Sequence, residues 1–227
     1  MKPFTRLGVI AVLFTMFSNF AHAEDLAPAV VKWLEAQSKI HTWTADFTQT
    51  RTLKSLTQPL TARGKISFAE PNQFRWELGS PAQTIAVRAP QELLILYPRL
   101  KRVERFSLAG QQTGQWRDAL ALLEAGFPRS RTALEAQYNI LSQRFDGDIC
   151  RLSLQPKSVA ARRMMPQIEV DFDTKENLLR GTELEFADGS TMRNDFSNIV
   201  TNPKIDQRLF SPPIPDNYKV IEPMKHR

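Results

Sequence analysis

The 227 residues include one cysteine, three histidines and nine glycines, and each shortage closes off a class of protein. A lone thiol, Cys150, forms no intrachain disulfide, so stability must come from a core. It also lies far from the position a lipidated cysteine would occupy, so the chain is not itself an acylated lipoprotein. Cys150 alternates with Leu152 and Leu154 and reads as a small buried hydrophobe. Of the histidines, His22 falls near the start, leaving His41 and His226. There is no HExxH, no CxxC, no GxSxG elbow and no glycine-rich phosphate loop. A metal site, a serine nucleophile and nucleotide chemistry are therefore not expected. The chain reads as a non-enzyme that needs no cofactor. Nor is there a run of about 18 apolar residues of the kind that crosses a bilayer as a helix.

The first segment is set aside before any fold is argued. Lys2 and Arg6 precede an apolar run, Leu7 to Phe17, which ends shortly before Ala21-His22-Ala23. This is the pattern of a secretory signal peptide cleaved after Ala23. It predicts an exported chain with a single domain over residues 24–227. Losing Lys2 and Arg6 takes two from the formal charge of +6, leaving a basic excess too small to argue nucleic acid.

A helix is expected over Leu26 to Lys39, with Val30, Val31, Leu34 and Ser38 on one face. The period then changes to two. Trp43, Ala45 and Phe47 alternate with threonines and Asp46. Leu60 to Phe68, Phe74 to Leu78, Ile85 to Val87, Leu93 to Tyr97 and Val103 to Arg105 follow as strand candidates. Trp116, Ala119, Leu120, Leu123 and Phe127 recur at helical spacing, and Ser130 to Gln137 reads as a second short helical piece. Strands resume at Tyr138, with Asp-Gly hairpins at Asp146-Gly147 and Asp188-Gly189. The proline-rich tail reads as an extended closing segment. The expected class is mainly β (α+β): a strongly bent antiparallel sheet of ten or eleven strands with helices on its concave side.

The charged residues offer no catalytic constellation. Glu169 with Asp171, and Glu183 with Glu185, occupy the polar sides of alternating strands. Arg99, Lys101, Arg102 and Arg105 form the densest basic cluster, either a solvated edge that discourages strand pairing or a docking patch for an acidic partner or lipid head groups. The large side chains, from Trp43 and Phe47 to Trp116, are either ordinary core or the lining of an apolar cavity for acyl chains.

Several stretches, in this order, resemble the periplasmic outer-membrane lipoprotein carrier family, LolA. They are Ala45-Asp46-Phe47-Thr48-Gln49, Gly64 through Pro71-Asn72-Gln73-Phe74-Arg75-Trp76, Leu93 to Pro98, Leu154-Gln155-Pro156-Lys157, Asn202-Pro203 and Phe210-Ser211-Pro212-Pro213. The resemblance implies an incomplete antiparallel β-barrel of about eleven strands with a helical lid over a hydrophobic cavity. It implies acylated lipoproteins as cargo, a LolCDE-type inner-membrane ABC transporter as donor and a LolB-type outer-membrane acceptor, with the carrier a monomer. The cavity would be lined by Phe47, Phe68, Phe74, Trp76, Ile85, Val87, Leu94, Leu96 and Tyr97, faced by Leu120 and Leu123 from the lid. The side is open for Leu94 and Leu96 against Leu93, Ile95 and Tyr97, because all five are apolar. In one respect the chain departs from the family: an arginine often precedes the proline of the Pro-Asn turn and helps hold the lid, and here Glu70 precedes Pro71. Another basic group, such as Arg75 or Lys65, would have to take that part, or the cargo is another amphiphile.

Overall fold

The computed structural model describes residues 25–108 and 130–223. Twelve strands form one sheet: β1 (Thr42–Thr52), β2 (Leu60–Ala69), β3 (Gln73–Leu78), β4 (Thr84–Ala89), β5 (Glu92–Tyr97), β6 (Arg102–Ser107), β7 (Tyr138–Asp146), β8 (Ile149–Pro156), β9 (Gln167–Asp173), β10 (Leu179–Glu185), β11 (Thr191–Thr201) and β12 (Lys219–Ile221). Three α-helices accompany them among the described residues: α1 (Pro28–Gln37), α2 (Arg131–Gln137) and α3 (Val159–Met164). The spatial order is β12-β6-β5-β4-β3-β2-β1-β11-β10-β9-β8-β7. It consists of two antiparallel meanders joined where β1 pairs with β11. The ends, β12 and β7, do not pair, so the barrel is incomplete.

The twelfth strand lies in the proline-rich closing segment, where Lys219–Ile221 runs parallel to β6. The short helix α3 was not anticipated; Ser158 caps it, its hydroxyl accepting from the Ala161 N–H at 3.3 Å. Ser130 caps α2 in the same way, satisfying donors that a helix start leaves open.

Helix α1 is shorter than expected and rotated in its burial. Val30, Trp33, Leu34 and Gln37 face inward, the i, i+3, i+4, i+7 stripe of a helix lying on a core. Trp33 stacks on Phe172 of β9 with ring centroids 4.4 Å apart. Both helix ends are tied. The Ala27 N–H donates to Gln143 Oε1 of β7, and the Gln37 side chain donates to the Asn177 carbonyl. This places α1 over the β7–β10 half of the concave face.

Among the described residues, apolar clusters on both faces of the sheet occur in the β4–β6 region. The main core, on the concave face, runs from Trp43, Phe47, Phe68 and Phe74 to Leu152, Val170 and Phe172. A smaller cluster of Val87, Leu94, Leu96 and Val103 lies on the convex face, packed by Ile85, Ile214 and Tyr218. Residues 203–218 cross that face as a strap: its 3₁₀ turn, Gln207–Phe210, lies against β3 and β4, and Arg75 donates to the Leu209 carbonyl.

Candidate functional site: an apolar concave face

Strand register sorts the expected lining residues by face, because side chains alternate along a strand and pair directly across it. On the concave side, Phe68 stands opposite both Trp43 and Phe74, and Ile66 opposite both Ala45 and Trp76. Trp76 is in turn opposite Ala86, and Ala86 opposite Ile95. Phe47 stands opposite Phe196. Its ring lies 4.2 Å from that of Trp76, and Phe196 is 6.4 Å from each of them.

This aromatic group depends on one glycine. Gly64 lies between Phe47 and Leu78 in the register, and a Cβ there would stand 2.2 Å from both Phe47 Cζ and the Glu77 carbonyl oxygen. Without that Cβ, Phe47 leans across β2 to reach Trp76.

Ile85, Val87, Leu94 and Leu96 lie on the other face of the sheet from Phe47, Phe68, Phe74 and Trp76. Ile85 stands opposite Leu96 and Val87 opposite Leu94, and all four belong to the convex cluster beneath the strap. The neighbours Leu93 and Ile95 face the main core instead. Tyr97 shares the concave parity of Leu93 and Ile95 and stacks with Arg102, whose guanidinium carbon is 4.4 Å from the ring centroid. Leu120 and Leu123 lie outside the described residues. Phe196, on the pairing strand, was not among the expected lining residues, although its alternation with Asp195 and Ser197 marks it as inward-facing.

The basic cluster is divided rather than shared. Arg102 is paired with Glu104 at 3.2 Å and Arg105 with Glu92 at 3.3 Å. Their register partners, Tyr97 and Leu94, put them on opposite faces. Arg99 and Lys101 are exposed on the turn between β5 and β6.

Arg75 and Lys65 both lie on the convex face. Arg75 bonds Glu77 at 2.5 Å, and Lys65 stands 3.9 Å from Asp46. Glu70 meets the His41 ring at 2.5 Å. A cleft of about 630 Å³ also opens on the convex side, lined by Asp46, Arg63, Lys65, Glu77 and the β3–β4 turn. Its walls are charged and of mixed sign, unsuited to acyl chains.

The convex face of the other half is held by charge. Asp171, with 4 % of its side chain exposed, receives Arg151 and Arg193, each at 2.8 Å. Burial works to raise its pKa, and the hydrogen bonds and charges of the two guanidinium groups outweigh it, so the carboxyl lies below the ordinary carboxylate range. Arg193 reaches Asp171 over Gly181, where a Cβ would stand 3.0 Å from Arg193 Nη2. Cys150 is fully buried, and burial, with the charge of Asp171, pushes its thiol up to about 11. Among the described residues no three His, Cys, Asp or Glu side chains are grouped to hold a metal ion. No described helix is long and apolar enough to cross a membrane.

One open sheet coiled about an apolar, aromatic-rich concave face defines an incomplete-barrel protein. The family model described as outer membrane lipoprotein carrier protein LolA matches residues 38–213, and the chain belongs to that family. An outer-membrane lipoprotein carrier protein of Haemophilus ducreyi is 26% identical over 220 residues, covering 97% of this chain and 96% of that one. Another from Chromohalobacter salexigens is 27% identical over 160 residues, 70% of each chain. An uncharacterized conserved protein from Thermus thermophilus has a similar structure, with a TM-score of 0.50 at 7% identity, over 85% of this chain and 97% of that one. That likeness bears on the fold alone.

Proposed function

We propose that the protein is a periplasmic carrier that takes the acyl chains of lipoproteins released from the inner membrane onto its concave face and delivers them to the outer membrane. The observation that carries this reading is the continuous apolar concave face, from Trp43 and Phe68 through Phe47, Trp76 and Phe196 to Ala86 and Ile95, in a chain of the lipoprotein carrier family. Burying a methylene is worth about 0.8 kcal/mol, so each long chain costs on the order of 10 kcal/mol to hold in water. An apolar face removes that barrier without chemistry. The donor would be an ABC transporter of the LolCDE type and the acceptor a LolB-type lipoprotein, with the carrier acting as a monomer.

Native mass spectrometry of the mature protein purified from the periplasm tests this. A stoichiometric triacylated lipoprotein is the expected finding. A free lipid in its place would make the protein a carrier of another amphiphile, the reading that Glu70, paired with His41 rather than replaced by arginine, favours. An empty protein that takes up no lipid would overturn both.

A further inference from the structure

The concave face does not stay apolar along its length. Two residues beyond Phe47 on β1 stands Gln49, and two residues before Phe196 on β11 stands Asn194, directly opposite it. Thr182 of β10 is opposite Asn194, and Val170 of β9 opposite Thr182. Gln49 Nε2 donates to Asn194 Oδ1 at 3.0 Å, and Asn194 Nδ2 donates to Thr182 Oγ1 at 3.2 Å. Gln49 is 7% exposed and Asn194 4%. A polar row thus crosses three strands on the side expected to hold hydrocarbon, with the aromatic group on one flank. On the other flank stand exposed Arg51 and half-buried Met192.

Acyl chains alone give no reason for such a row. Amides buried on an apolar face cost free energy that their mutual hydrogen bonds only offset, and leucines would serve hydrocarbon better. The head-to-tail orientation leaves each amide one N–H that the row does not use. Those two donors are neutral, belong to side chains directly opposite each other in the register, and stand at the boundary between the aromatic interior and the rim. That is where the carbonyls of an acylated head group lie when its chains run inward.

We propose that Gln49, Asn194 and Thr182 form a carbonyl subsite that recognises the paired ester groups of a diacylglyceryl moiety and so fixes how deep the chains enter. This rests on the reading that the concave face takes acyl chains. The absence of charge in the row selects an ester over a free carboxylate. The shared chemistry belongs both to the diacylglyceryl-cysteine of a lipoprotein and to a diacyl phospholipid.

The test measures binding of fluorescent diacylglyceryl-cysteine peptide and its dialkyl ether analogue of equal chain length, with phosphatidylglycerol and its ether analogue as a second pair. The full mature protein is compared with Gln49→Leu/Asn194→Leu, its fold checked by circular dichroism. Wild type is expected to prefer the ester peptide about fivefold, the worth of one net hydrogen bond, and the double variant to lose the preference while keeping ether affinity. A preference confined to the peptide assigns the subsite to lipoproteins, and one shared by phosphatidylglycerol assigns it to diacylglyceryl lipids at large. Equal wild-type affinity for ester and ether overturns the subsite even if the variant does not fold, and so does a preference that survives in the variant. If wild type binds no probe at all, the carrier reading fails with it, whereas ether binding without discrimination removes the subsite alone.

Discussion

Gly64 shows how one missing side chain shapes the interior. Since a Cβ would meet a backbone oxygen as well as the Phe47 ring, Gly64→Ala has no cheap relief and is expected to cost about 2 kcal/mol, read as a lowered urea midpoint with an unchanged slope. Asp171 sets a pH dependence. Its folded pKa is depressed, so its contribution is fully present above the ordinary carboxylate value near pH ~4 and is lost as pH falls through the lower folded value. Asp171→Asn is expected to reduce stability at pH 7 by about 2 kcal/mol, below the cost of breaking a fully buried pair, because Arg151 and Arg193 are partly solvated. The variant should also flatten the fall in urea midpoint on acidification; an equally steep fall would show that another carboxylate governs it. Cys150, with its thiol at about 11, carries almost no thiolate at pH 8. It is expected to resist a thiol-reactive dye in the native protein and to label rapidly in urea, which makes it a reporter of unfolding.

At the scale of elements, the strap is the feature least visible in the sequence and most consequential for reading it. Strands β1, β2 and β3 were legible because one face is polar: Arg63, Lys65 and Ser67 alternate with Gly64, Ile66 and Phe68, and the concave side follows directly. In β5 the run Leu93 to Tyr97 carries no such signal, since Leu93 and Ile95 meet the main core while Leu94 and Leu96 are covered by the strap. A strand buried on both faces loses its period, and what covered the second face lay more than a hundred residues away. Helix α1 was misread for a related reason. Ser38 follows the last helical turn, whereas Trp33, whose ring stacks on Phe172, belongs to the buried stripe. Gln49 and Asn194 share the parity of Phe47 and Phe196, but as polar residues they were not counted among the lining residues. If the strap is what seals the convex cluster, Ile214→Ser/Tyr218→Ser should lower stability by about 2 kcal/mol. It should also speed amide exchange in β4, β5 and β6 while leaving β8 to β10 protected. Uniform acceleration across the sheet would instead mean that the strap supports the whole fold.

For the whole molecule, the question is which of its two apolar surfaces carries cargo, and a pair of isoleucines separates them. Ile95 of β5 and Ile85 of β4 are both half-buried and lie in adjacent strands, yet Ile95 packs on the concave core and Ile85 on the convex cluster. Changing either to glutamine removes a similar apolar area and places one amide at a partly solvated position, so their costs to stability should agree within about 1 kcal/mol. Their effects on loading should not agree. If acyl chains lie along Trp76, Ala86 and Ile95, Ile95→Gln puts a polar group in their path, and release of bound lipopeptide should accelerate about tenfold, the worth of one to two buried methylenes plus a desolvated amide. Ile85→Gln, under the strap, should release at the wild-type rate. The reverse order would place the cargo on the face that Ile214 and Tyr218 now cover. The strap would then be a competitor for the chains rather than a seal, and the carrier would have to open from its tail. Equal acceleration by both would mean that release follows global stability, with neither surface acting as a discrete site. Matching residue type, exposure and strand neighbourhood in the two variants makes the comparison depend on the face alone.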